Sequence, residues 1–185
     1  MNKKEIRTRL RIHEALESLL LERGYGEIST TDIVVRSGVA RSTFYKHYKG
    51  KDDVLVGLTD HIFEHVFSAN LPKEKGHDFS DTKAFDYRHI VTHVFCHFGE
   101  DRKLLKAIFE SEASHLFGAN LREQATPLIE AIYGLTPPFM NGMPKEIAIS
   151  SLLGLFVGLL KTYVVDDRNE TAEEMAEYFF RFRFA

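Results

Sequence analysis

Cysteine is almost absent from this chain. Only Cys96 carries a thiol, so there is no internal disulfide framework, and a reducing compartment is expected. Tryptophan is missing and proline occurs five times, with no low-complexity tract. The disordered class is excluded by composition: 44% of the 185 residues are hydrophobic against 28% charged, enough for a buried core in one or two domains. No apolar segment follows the basic stretch 1–11, so no secretory leader is read. A clean membrane span is missing too. The most apolar run, 147–165, is interrupted by Ser150, Ser151, Gly154, Gly158 and Lys161 and reads as a buried helix. The expectation is a cytoplasmic protein without a membrane partner.

What is present is unevenly placed. The net charge is −3, yet residues 1–50 carry ten Lys and Arg against six Asp and Glu, while 51–185 carry fourteen against twenty-one. A basic N-terminal segment on an acidic body suits a protein that grips phosphate at one end.

Apolar residues recur at three and four, and isolated strand patterns are lacking, which predicts an all-α chain of about nine helices. The first runs from about Lys4 to Glu22, with Ile6, Leu10, Leu16, Leu19 and Leu20 on its apolar face. Gly24-Tyr25-Gly26 stops it, where glycine allows a left-handed residue. The second begins at Ser29, whose spacing to Asp32 matches a capping box, and ends near Ser37. After the turn Gly38-Val39-Ala40 the third covers Arg41 to His47, Lys49-Gly50-Lys51 breaks it, and a long fourth runs from Lys51 towards Asn70. Residues 71–81 read as a loop. Further helices are expected over 82–98, from 102 to 109 and on through 133, over 145–165, and from Thr171, where Met175, Phe179 and Phe182 share a face. Thr136-Pro137-Pro138, with Gly142 and Pro144, mark a break.

Two short helices joined by a glycine-containing turn make a helix-turn-helix (HTH). Gly38 permits the turn, Val39 plugs the space beneath it, and Ile33, Val34 and Phe44 pack the pair. Arg41, Ser42, Thr43, Lys46 and His47 are then free to enter a major groove. The run Ser29-Thr30-Thr31-Asp32-Ile33-Val34, Ser37 through Tyr48, and Lys51-Asp52-Asp53-Val54-Leu55 resembles the DNA-binding domain of the tetracycline-repressor (TetR) family over roughly residues 7–55. The resemblance implies a three-helix HTH domain at 1–50 and a helical effector-binding and dimerisation domain at 51–185. It implies that Arg41, Ser42 and Thr43 face bases, that Tyr45 and His47 touch phosphate and Lys46 phosphate or base, and that Ser29, Thr30 and Lys51 meet phosphate. Ala40 departs from the Ser or Thr the family commonly has as a cap, at a cost of ~1 kcal/mol.

A dimeric repressor on a pseudo-palindromic operator in double-stranded DNA, released by a small-molecule effector, is the function so implied. The homodimer is expected through Gly154, Phe156, Gly158, Leu160, Phe179 and Phe182, because glycines four apart let helices approach closely. Phe85, Phe95, Phe98, Phe109, Phe117 and Tyr133 are candidates to line the effector pocket, against the blander reading that each is core. No cofactor is called for. His89, His93 and His97 stripe one helix face and His61 and His65 another; two histidines four apart can chelate one metal and a third ligand from a facing helix would complete the site, so a metal-responsive regulator is an alternative. A TetR-like coactivator controlled by a protein partner is a second, on a faint resemblance of the tail to a regulator of dihydroxyacetone kinase genes. Catalysis by Cys96 is not favoured, since no oxyanion turn or glycine-rich elbow surrounds it.

Overall fold

The computed structural model describes residues 3–67, 87–134, 143–166 and 168–184, with backbone alone at 183 and 184. Among these residues the chain is helical and has no strand. The helices are α1 (Lys3–Glu22), α2 (Thr30–Ser37), α3 (Arg41–His47), α4 (Lys51–Val66), α5 (Tyr87–Glu100), α6 (Arg102–Phe109), α7 (Ser114–Gly134), α8 (Lys145–Val165) and α9 (Ala172–Phe184), with a 3₁₀ turn at Tyr25–Glu27. The expected loop at 71–81, the first residues of the fifth helix (82–86) and the break at 136–142 lie outside the described residues.

Backbone contacts divide the chain into two compact units. One comprises Met1–Ile62 with Lys103–Asn120, the other Phe63–Arg102 with Leu121–Ala185. The sequence boundary at residue 50 falls inside the first. That unit is centred on Ile12, Leu16, Leu19, Ile33, Phe44 and Val54, all at most 1% exposed. The amphipathic spacing of α1 supplies three of these, although Ile6, on the same stripe, stays 39% exposed.

The chain leaves α1 without using the left-handed conformation that its glycines allow. Gly24 holds φ −61° and ψ 146°, an ordinary extended conformation, and starts the 3₁₀ turn instead of adopting a left-handed cap. The reversal comes from the turn's own i→i+3 bonds, Glu27 N to Gly24 O at 3.0 Å and Ile28 N to Tyr25 O at 3.1 Å. In the segment after α6, Ser111 Oγ donates to Ile108 O at 2.8 Å and accepts from Ala113 N at 3.2 Å, which separates α6 from α7.

In the second unit α5, α8 and α9 pack together. Their core is a relay of edge-to-face rings: Phe95 to Phe156 at 6.1 Å and Phe156 to Phe179 at 5.4 Å. The most apolar 18-residue window of α8 has a mean hydropathy of 1.8, and the helix is long enough to cross a membrane by length and composition alone. Its Ala148, Leu152, Phe156, Leu160, Tyr163 and Val164 are buried inside this unit, which marks a core helix. A second capping box starts α9, with Thr171 N donating to Glu174 Oε2 at 2.8 Å and Glu174 N to Thr171 Oγ1 at 3.2 Å.

Candidate nucleic-acid interface

The turn between α2 and α3 is set by one residue. Gly38 sits at φ 60°, ψ 24°, a left-handed conformation that glycine adopts without steric cost. A side chain there would also meet Arg11 Nη2 at 2.9 Å. That guanidinium donates to Ser37 O at 2.6 Å, satisfying a carbonyl that the end of α2 leaves open. Val39 is buried beneath the turn. At the other end of α2 the expected capping box forms: Asp32 N donates to Ser29 Oγ at 3.2 Å and Ser29 N to Asp32 Oδ2 at 2.8 Å. The Ser29 groups, then Arg23, hold the Asp32 carboxyl below its usual range. Arg36 grips Glu22 with both guanidinium nitrogens at 2.7 Å, tying α2 to α1.

α3 then presents one face inward and the rest outward. Phe44 is fully buried and Tyr48, its C-cap, nearly so. Arg41, Ser42, Tyr45 and Lys46 are exposed, and Thr43 and His47 half-buried. The Arg41 guanidinium lies over the Tyr45 ring at 5.8 Å, one helical turn away. Ala40 caps α3 without a side-chain bond, as its lack of a hydroxyl dictates. Behind the helix, Tyr48 meets buried His13 Nε2 at 2.6 Å, and Gly57 of α4 lets both approach, since a Cβ there would lie 2.9 Å from Tyr48. Burial, then His61 and Arg9, lowers the His13 pKa to about 4, so the ring is neutral at pH 7.

A groove of about 490 Å³ runs beside α3, lined by Lys4, Glu5, Thr8, Arg9, Thr43, Lys46 and His47. Lys4, Thr8 and Arg9 were not singled out from the sequence. Their only signal was the positive balance of the first fifty residues. The expected helix-start contacts are otherwise engaged. Ser29 caps α2 and Thr30 is half-buried beside it. Lys51 Nζ donates to Tyr25 O at 2.9 Å and lies 4.3 Å from the centre of that ring, while Tyr25 Oη donates to Asp52.

In the second unit a cleft of about 380 Å³ is lined by Phe63, Glu64, Phe67, Tyr87, Ile90, Gln124, Pro127, Leu128 and Ala131. The residues expected for a pocket stand elsewhere. Phe95 and Phe98 are core of this unit and Tyr133 is half-buried, while Phe109 and Phe117 are core of the first, with ring centres 4.8 Å apart. Phe85 lies outside the described residues. The expected dimer residues also divide. Phe156, Leu160 and Phe179 are fully buried within their own unit, so no surface of theirs remains for a partner. Phe182 is 65% exposed, and a Cβ at Gly154 or Gly158 would meet nothing within 4 Å.

The histidine stripe regroups as well. His93 and His97 converge with His65 of α4, not with His89, and one nitrogen from each lies within 4.8 Å of the others. Beside them Cys96 is half-buried, and burial, then Glu173 and Glu100, raises its thiol pKa to about 11. Such a thiol is protonated near neutrality and is a poor nucleophile.

Among curated proteins, an HTH-type transcriptional regulator of Haemophilus influenzae is 27% identical over 104 residues, 55% of this chain. The regulator YxbF of Bacillus subtilis is 30% identical over 79 residues, 40% of the chain. The matched stretches span 53% and 21% of those relatives' own lengths. Among solved structures, a TetR transcriptional regulator from Streptococcus agalactiae superposes with a TM-score of 0.69 at 23% identity, covering 97% of this chain and 95% of that one. The dihydroxyacetone kinase operon activator DhaS gives 0.62 at 13% identity, covering 95% and 93%, a likeness of fold alone. The model for bacterial regulatory proteins of the tetR family matches residues 12–58, and that for a transcriptional regulator C-terminal region matches 86–183. With more than half of its length under the second model and its helix-turn-helix under the first, the chain belongs to the TetR family of transcriptional regulators.

Proposed function

We propose that this protein is a cytoplasmic, homodimeric repressor that reads a pseudo-palindromic operator and is released from it by an effector bound in its second unit. The observation that carries the reading is α3: it buries Phe44 and leaves Arg41, Ser42, Tyr45 and Lys46 exposed behind a left-handed Gly38. An exposed polar face on the second helix of such a pair is what a major groove accommodates. Arg41 is assigned to a guanine, the commonest specific contact. Ser42 and Thr43 are assigned to neighbouring base edges, and Tyr45, Lys46 and His47 to phosphates along the groove that Lys4 and Arg9 also line. Ser29, Thr30 and Lys51 flank this surface and contribute helix N-termini more than side chains. Dimerisation is assigned to the open face of α8 at Gly154 and Gly158 together with Phe182, and an apolar effector would suit the Phe63–Ile90–Leu128 cleft.

Release is a population shift. α4 runs unbroken from Lys51 to Val66, and its far end, Phe63 and Glu64, lines that cleft. An effector that binds one position of this helix better than another biases the DNA-competent state by that difference in affinity.

The test is a salt-dependent titration of DNA from upstream of the gene with wild type and Arg41→Ala. Wild type is expected to bind a discrete site with log K falling steeply with log salt. The variant should lose about 1–3 kcal/mol, roughly 5- to 150-fold, while keeping its fold. Weak binding of equal strength in both proteins, blind to sequence, would overturn the reading.

A further inference from the structure

The histidines of α4 and α5 form an arrangement that the DNA-reading account does not use. His93 is fully buried, and its Nδ1 lies 3.1 Å from Val66 O. A carbonyl only accepts, so this nitrogen is N–H and Nε2 carries the lone pair. His97 Nδ1 faces the Glu100 carboxylate at 3.5 Å, which favours the same tautomer. The two Nε2 atoms are 3.1 Å apart. At that distance either a proton on one nitrogen or a cation between both offsets the repulsion of the two lone pairs. His65 completes the group, its ring centre 4.7 Å from that of His97 and 5.6 Å from that of His93.

We propose that His65, His93 and His97 bind a divalent first-row transition metal ion of the zinc class through their outward ring nitrogens. A tetrahedral ion with metal–nitrogen bonds of 2.0–2.1 Å places its ligand atoms roughly 3.3 Å apart, near the existing separation of His93 and His97. Closing the widest 4.8 Å gap then draws a ring in by about 1.5 Å, and His65, the exposed member, is the one with room to move. An all-imidazole set selects zinc, nickel, cobalt or copper over the hard cations magnesium and calcium. The backbone carbonyl behind His93 and the carboxylate behind His97 are the partners that orient metal-bound imidazoles. Three protein ligands leave a fourth position open on the exposed side of His65, as in an exchangeable site. Bound there, the ion clamps the end of α4 to α5, and in the regulator proposed above that clamp acts on DNA affinity.

Zn²⁺ titration of the metal-free full chain by calorimetry, with Co²⁺ absorption as a second readout, tests the site. Wild type is expected to take one ion per chain and to give the intense visible bands of four-coordinate Co²⁺. His65→Gln, on an exposed residue, should weaken uptake at least 100-fold without loss of helix, and so should His93→Gln where it folds. His89→Gln should change nothing. Uptake equal in wild type and His65→Gln overturns the site, as does a wild type that binds no metal and shares a proton between His93 and His97 by ring ¹⁵N shifts. DNA titration with and without Zn²⁺ is the separate arm. A change in affinity supports the clamp, and metal uptake with unchanged affinity keeps the site and overturns its regulatory part.

Discussion

The two units are stabilised in different ways. The first is organised around a turn by directional contacts: a capping box at Ser29, a left-handed Gly38, Arg11 on Ser37 O, and a forked Arg36–Glu22 pair. The core of the second is organised by volume, with Phe95, Phe156 and Phe179 meeting edge to face and, among the described residues, Thr92 and His93 as its buried polar side chains. Directional contacts fix where side chains of an exposed helix point, which a reader of base edges requires.

Removing a central ring from each unit should produce the largest effects. Phe44→Ala and Phe156→Ala are each expected to cost about 3–5 kcal/mol in urea denaturation. A loss under about 1 kcal/mol for either would contradict its place at the centre of its core.

The next effect separates the units by pH. His13 is neutral in the folded first unit, with its pKa lowered to about 4 from the ordinary 6.5. The unfolded chain therefore binds one more proton than the folded one between these values. The stability contributed is fully present above pH 6.5 and is lost as pH falls towards 4, at about 1.4 kcal/mol per unit. NMR titration of the His13 ring should show no protonation until close to pH 4. A midpoint near 6.5 would mean that the ring is not enclosed between Tyr48 and His61.

Ser29→Ala removes the hydroxyl that receives Asp32 N and should cost about 1 kcal/mol by the same denaturation. Arg41→Ala, on an exposed residue, should leave stability unchanged. The smallest effect is a gain. Gly158→Ala adds a methyl that meets nothing within 4 Å and removes a flexible glycine from a helix, worth about 0.5–1 kcal/mol. If α8 approaches a second copy there, the same methyl raises the dimer dissociation constant in analytical ultracentrifugation. A higher melting temperature with unchanged dimerisation would move the interface elsewhere.

The contrast between the units also explains what could be read from sequence. The bounds of α3 and α8 were legible because local signals set them: Gly38-Val39-Ala40 and Lys49-Gly50 around one, Pro144 before the other. The capping boxes at Ser29 and Thr171 were legible for the same reason. Gly24 was not, since glycine permits a left-handed residue without requiring one. In the second unit the residues that looked available for a partner, Phe156, Leu160 and Phe179, fill its core, because periodicity shows which residues share a face but not what that face meets. The histidines make the same point. Spacing grouped His89, His93 and His97 on one helix, whereas the packing of α4 on α5 within the unit exchanges His89 for His65, a pairing across intervening chain that no local pattern encodes.

The central claim is that this chain reads DNA sequence as a two-fold pair of α3 helices. Selection of bound duplexes from a random pool, followed by sequencing, tests it most directly. An enriched motif of two inverted half-sites centred about one helical turn apart, roughly 34–36 Å, is expected, with relaxation at one base pair per half-site in Arg41→Ala. A pool that enriches no motif, or an identical motif for wild type and Arg41→Ala, would contradict it.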